Sequence, residues 1–134
     1  MKRLPKRPAQ RGFALLEALV AVLLFSLGLL GLIGLQTRAI TTSIDANDRN
    51  RAAMLANEIA STMWLKRSTT AIDTSAGSAW QLRVSDPTKD GLANGVLAIT
   101  AVTANSADIK ITWKAVARTS SETGSQLTTR VTLP

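Results

Sequence analysis

Apolar and polar positions divide this chain into stretches with different periods. Phe13 to Leu35 is an unbroken apolar run of 23 residues in which Glu17 is the only charge. As a helix it is about 35 Å long, enough for a hydrocarbon core of ~30 Å. Further on, Leu55, Ile59 and Met63 recur every four residues, with Ala52, Ala56 and Ala60 beside them, which makes an apolar stripe on one helix face. Arg49, Arg51 and Glu58 fall on other faces. No proline interrupts the chain between Phe13 and Leu65, so one helix is expected over that span. Asp45, Asn47, Asp48 and Asn50 are weak helix formers and mark where a bend costs least. The Ala and Leu stripe is expected to pack on a sheet.

That sheet is read from the last third. Val96–Val102 is strand-like. Ile109 to Ala115 alternates, with Ile109, Ile111, Trp113 and Ala115 on one face and Lys110, Thr112 and Lys114 on the other. Leu127–Leu133 gives a third strand after a polar loop, Ser120 to Ser125, and Asn105-Ser106 is expected to turn between the first two. Short connections predict an antiparallel meander. Trp113 is expected in the core, and Trp64 and Trp80 likewise. Between helix and sheet, Lys66 to Gly95 is rich in Ser, Thr, Asp and Gly and reads as a linker. Asp86-Pro87, Asp90-Gly91 and Asn94-Gly95 are turn signals. Trp80-Gln81-Leu82-Arg83-Val84 fits either a short helix or an edge strand.

Charge changes the picture at the N-terminus. Lys2, Arg3, Lys6, Arg7 and Arg11 precede the apolar run without an acid among them, while only Arg38 lies close behind it. The positive-inside rule then leaves the N-terminus in the cytoplasm and carries the rest across. Pro5 and Pro8 oppose a helix in the leader. The formal charge of +7 is mostly leader: without residues 1–12, 11 basic side chains face 9 acidic ones. A nucleic-acid partner loses most of its support on that count. There is no cysteine, so no disulfide braces the body.

A cleaved secretory signal has an apolar core of about 7–15 residues and a small-x-small site; this run is longer, and Leu35-Gln36-Thr37-Arg38-Ala39 offers no such site. A lipoprotein signal needs a cysteine. A plain uncleaved anchor leaves Gly12 and Glu17 without a role. A carboxylate at the centre of a membrane helix costs roughly 2.5–3.5 kcal/mol, so a lone acid in such a run is a functional candidate.

Arg11-Gly12-Phe13-Ala14-Leu15-Leu16-Glu17 resembles the type IV prepilin signal, shared by type IV pilins and type II secretion pseudopilins. Ala14 and Leu16 depart mildly from the usual Phe-Thr-Leu-Ile-Glu wording. Ser26–Gln36, with Gly28, Gly31 and Gly34, and the block Ala53–Met63 are similar to PilV-type minor pilins. The resemblance covers the N-terminal half of the chain; the C-terminal half is similar only in style. It implies a pilin-like α+β fold, with a long N-terminal transmembrane helix packed on a small antiparallel β-sheet. The implied divisions are a cleaved cytoplasmic leader (1–12), a transmembrane and assembly segment (13–35), a periplasmic half of the helix (36–65) and a small globular body (66–134). A prepilin peptidase would cut after Gly12 and N-methylate Phe13. A residue without a side chain at the cut lets the peptidase approach the backbone. Glu17, fifth after the cut, would pair with the terminal amine of an adjacent subunit; the plainer reading has its carboxylate reach the headgroups. Gly28, Gly31 and Gly34 do not have Gly-x-x-x-Gly spacing. They are either tolerated in a membrane helix or lower the cost of locally unwinding it.

The implied function is a minor pilin that initiates or modifies a type IV pilus by helix packing. The alternatives are an I-type pseudopilin of a type II secretion tip complex and a simple anchored periplasmic protein. Expected partners are the prepilin peptidase, other minor and major pilins and inner-membrane lipid, with no nucleic acid and no small-molecule substrate. The expected location is the inner membrane, single-pass with the body in the periplasm, and then the pilus or pseudopilus. The chain lacks His, Cys and Tyr, and its acids after Glu17 are scattered without metal-ligand spacing. No enzymatic activity, catalytic residue, metal or cofactor is expected.

Overall fold

The computed structural model describes residues 11–115 and 123–134. The leader up to residue 10, with Pro5 and Pro8, and the first half of the expected polar loop (120–122) lie outside the described residues. The long helix α1 spans Arg11–Lys66. It stays α-helical through Asp45–Asn50, where propensity is weakest. Its hydroxyls are turned back onto the preceding turn: Thr41 and Thr42 both donate to the Arg38 carbonyl at 2.9 Å, and Ser61 donates to Asn57 at 2.8 Å. Such back-bonding satisfies a hydroxyl without unravelling the helix. Arg67 follows with φ 47°. The Arg67 amide donates to the Trp64 carbonyl at 3.2 Å and the Ser68 amide to Met63 at 3.1 Å, the bonds of a Schellman cap.

Two compact units meet between Thr42 and Ser43. In the second, the predicted stripe of α1 is buried: Ala52, Leu55, Ala56, Ile59 and Met63 are each at most 3% exposed. They form one core with Val84, Leu97, Ile109, Ile111, Trp113, Val131 and Leu133. Trp113 is in the core as expected, and Trp80 packs partly buried against it. Trp64 is half exposed, against expectation. It follows Met63 directly, and one residue turns about 100° round the helix, off the buried stripe.

The sheet is a three-stranded antiparallel meander in the order β1-β2-β3. Its strands are β1 (Val96–Thr103), β2 (Ser106–Trp113) and β3 (Ser125–Thr132). In β2 the odd positions Ala107, Ile109, Ile111 and Trp113 are buried, and Leu97 and Ile99 of β1 sit opposite Ile111 and Ile109. β2 starts at Ser106, against the expectation of a turn there; the turn residues are Ala104 and Asn105. The register shifts between Ala101 and Thr103. Ser106 is drawn into the sheet by Thr103, 2.6 Å between hydroxyls, and by Thr132 on β3. Ala115 falls just past β2, half-buried.

The expected linker contains structure of its own. Residues Ala79–Ser85 form a short helix α2, settling the open choice at 80–84. The Ser78 side chain caps it by accepting from the Gln81 amide, and Val84 points into the core. A single 3₁₀ turn at Pro87–Lys89 follows, with Asp86 as its cap. The turn signals at Asp90-Gly91 and Asn94-Gly95 hold, with Asp90 and Asn94 left-handed at φ 61° and 53°. Each glycine is required by close approach. A Cβ at Gly91 would lie 2.3 Å from the Arg83 carbonyl oxygen, and one at Gly95 would lie 2.3 Å from that of Val84. Ile72 and Leu92, both in this region, are buried.

Candidate processing and assembly site

The Gly12–Phe13 peptide lies in the first turn of α1, where backbone amides have no acceptor within the helix. The Phe13 ring is 76% exposed. Glu17 stands four residues on, one turn higher and on nearly the same face. Its side chain is exposed. Of the two polar side chains in Phe13–Leu35, Ser26 is satisfied within the helix, donating to the Val22 carbonyl at 2.8 Å. Glu17 has no polar partner among the described residues.

The surroundings of Glu17 are apolar on every side of the helix. Phe13, Leu16, Leu19, Val20, Leu23, Leu24 and Phe25 are all at least 48% exposed, and they do not line a single face. A helix that is apolar all round is built to be enclosed by lipid or by other chains. The most apolar 18-residue stretch of α1 has a mean hydropathy of 2.6, long and apolar enough to cross a membrane. Gly28, Gly31 and Gly34 sit on this exposed helix with open space where a Cβ would stand. Packing within the chain therefore gives no reason for glycine at these positions.

Charged groups in the second unit are used differently. Glu58 on α1 pairs with Arg83 on α2, and the Arg83 guanidinium lies 5.5 Å from the centre of the Trp80 ring. The ion pair ties α2 to α1, and the ring contact lies within α2. On the solvent face of the sheet, Arg130 grips Asp108 with two bonds of 2.7 and 2.9 Å. The hydrogen bonds from Arg130, more than its charge, hold the Asp108 carboxyl below the usual range. Asp86 and Asp73 are held low too, mainly by hydroxyl bonds from Thr88 and Ser75. These carboxylates cap turns or join strands.

Sequence reading passed over Gln81. Its side-chain carbonyl accepts from the Leu97 amide at 3.0 Å, and its amide nitrogen donates to the Gly95 carbonyl at 3.1 Å. It thus pairs with the start of β1 as a neighbouring strand would. Nothing local signals this, because its partners lie 14 and 16 residues away.

Residues 7–33 match the family model described as the prokaryotic N-terminal methylation motif. The match contains Gly12, Phe13, Glu17, Gly28 and Gly31; Gly34 lies one residue beyond it. No curated protein and no solved structure matches the chain. The motif, carried on this apolar helix, supports a type IV prepilin-like protein anchored in a membrane. Proteins with this motif are processed by a prepilin peptidase and assemble with other pilins.

Proposed function

We propose that this chain is a minor pilin, most similar to the PilV type, that joins other pilins to start or modify a type IV pilus. The observation that supports this is Glu17: a carboxylate without a polar partner among the described residues, on a helix exposed all round, four residues beyond Phe13 in a matched methylation motif. Residues 1–12 are the leader, 13–35 the membrane and assembly segment, 36–65 the periplasmic half of the helix and 66–134 the rest of the body. The peptidase hydrolyses the Gly12–Phe13 bond, and the new Phe13 amine keeps its positive charge when methylated. In a packed assembly that amine, on one subunit, meets Glu17 of the next. A buried carboxylate alone is costly, and an amine partner offsets the cost. The pair also fixes axial register, since one stagger brings the charges together. The chain is then the substrate of an enzyme rather than an enzyme.

Co-purification from membranes tests this. Glu17→Ala should insert and be cut, because the peptidase reads Gly12 and the leader, yet fail to co-purify with partner pilins. Glu17→Gln should fail nearly as badly, since it keeps shape and loses charge. Wild-type recovery of partners with either variant would remove Glu17 from the assembly contact. An I-type pseudopilin of a type II secretion tip complex is the second reading, because the same motif serves both systems; the partners recovered with the wild-type chain separate the two.

A further inference from the structure

Among the described residues nothing covers the free edge of β1 between Gln81 at its start and the register shift at Ala101–Thr103 near its end. Edge strands expose a row of backbone donors and acceptors, and proteins usually blunt them with charge, proline or cover. Val96–Thr103 contains no charged residue and no proline. Its outward phase is set by Gln81: the Leu97 amide points away from β2, to the Gln81 carbonyl. By antiparallel alternation the N–H and C=O groups of Ile99 and Ala101 also point outward, and no described residue bonds them. Gln81 therefore closes the first position of the edge and leaves the next two open. β3, at the other edge, carries Arg130 in its middle.

We propose that this open edge pairs with the same edge of a second copy of the chain, antiparallel about a two-fold axis through Thr100. The register follows from the two open residues. Ile99 faces Ala101 of the other copy and Ala101 faces Ile99, so both outward donors and both outward acceptors on each chain are used, giving four hydrogen bonds. Ala98 then lies opposite Val102. No like charges meet, because the strand has none. Two three-stranded sheets become one of six strands, and the open stretch ends where Gln81 begins. Isologous pairing of this kind needs only one self-complementary patch. So short a seam makes a weak dimer, formed between copies held at high local concentration in one membrane.

The chain has no cysteine, so single cysteines report the register directly. The full chain, expressed in membranes, is oxidised with copper phenanthroline and run on a non-reducing gel. Thr100→Cys should give a covalent dimer, because Thr100 faces itself across the axis in a close, non-hydrogen-bonded pair. Thr128→Cys, equally exposed on the same sheet face, reports random collision and should give much less. Ala98→Cys and Val102→Cys should cross-link with each other when co-expressed and not singly. Adding Ala101→Pro, which removes an outward donor and no bond to β2, should abolish the Thr100→Cys dimer. A Thr100→Cys dimer no stronger than the Thr128→Cys one, or one that survives Ala101→Pro in a folded chain, overturns the proposal.

Discussion

Ile59→Ala tests whether the helix stripe holds the body together. Ile59 is fully buried on α1 in one core with Ile109, Ile111 and Trp113. Ile→Ala at a buried site costs about 2–5 kcal/mol, from lost transfer energy and the cavity left behind. Alanine's higher helix propensity returns a few tenths of that, so ~2–4 kcal/mol is expected. The unit it stabilises, Ser43–Pro134, has no disulfide. For a domain of that size each kcal/mol moves Tm by about 4–8 °C, so a fall of at least ~8 °C is expected. Far-UV circular dichroism is a poor probe, because the membrane half of α1 contributes helix that need not melt. Tryptophan emission of the full chain in detergent is better: Trp113 is 3% exposed, and its emission shifts to the red when the core opens. Met54→Ala is the control. Met54 lies on the same helix but is 70% exposed, so its loss should stay within about 0.5 kcal/mol. If the two variants melted within a few degrees of each other, the stripe would not be the packing face.

Three further predictions rest on separate contacts. Gln81→Ala strips the β1 edge of a donor and an acceptor at a half-buried site; it should cost about 1–3 kcal/mol and speed amide exchange at Leu97, and unchanged exchange would refute the capping role. Asp108, Asp86 and Asp73 have folded-state pKa values below their usual range, so their stabilisation is present above pH ~4 and is lost as pH falls through the folded values. Tm should therefore fall on acidification below that point, and Asp108→Asn should flatten the fall; equal slopes for variant and wild type would refute it. Replacing Gly28, Gly31 and Gly34 together by Ala should leave insertion intact, since each site has room for a Cβ, but stiffen the helix by roughly 1 kcal/mol per site and reduce recovery with partner pilins. Normal recovery would leave the glycines without an assembly role.

The helix and the sheet were legible because their periods differ and each runs long enough to show. Leu55, Ile59 and Met63 gave the buried face of α1, and the alternation of Ile109–Trp113 gave the inner face of β2. Trp64 misled because its size argued for burial while its position, one residue past Met63, turns it off the stripe. Residues 80–84 were ambiguous because five residues are too few to show a period. Their helical state depends on the Ser78 cap and on Gly91 and Gly95 lying against the carbonyls of Arg83 and Val84, which are contacts made by folding. Leu92 and Ile72 were lost inside a polar composition. The N-terminal site was legible as a motif, since its spacing is local. No polar partner for Glu17 stands among the described residues, so the fold displays its carboxylate without showing what completes the site.

The mass of the mature N-terminus tests the central claim most directly. Protein extracted from membranes that contain a prepilin peptidase is digested and its N-terminal peptide fragmented in a mass spectrometer. Processing at the motif gives Phe13 as the first residue, carrying one methyl group, and Gly12 replaced by a bulky residue gives a chain with its leader still attached. A mature terminus at any other residue, or an unmethylated chain that keeps residues 1–12, would contradict the assignment.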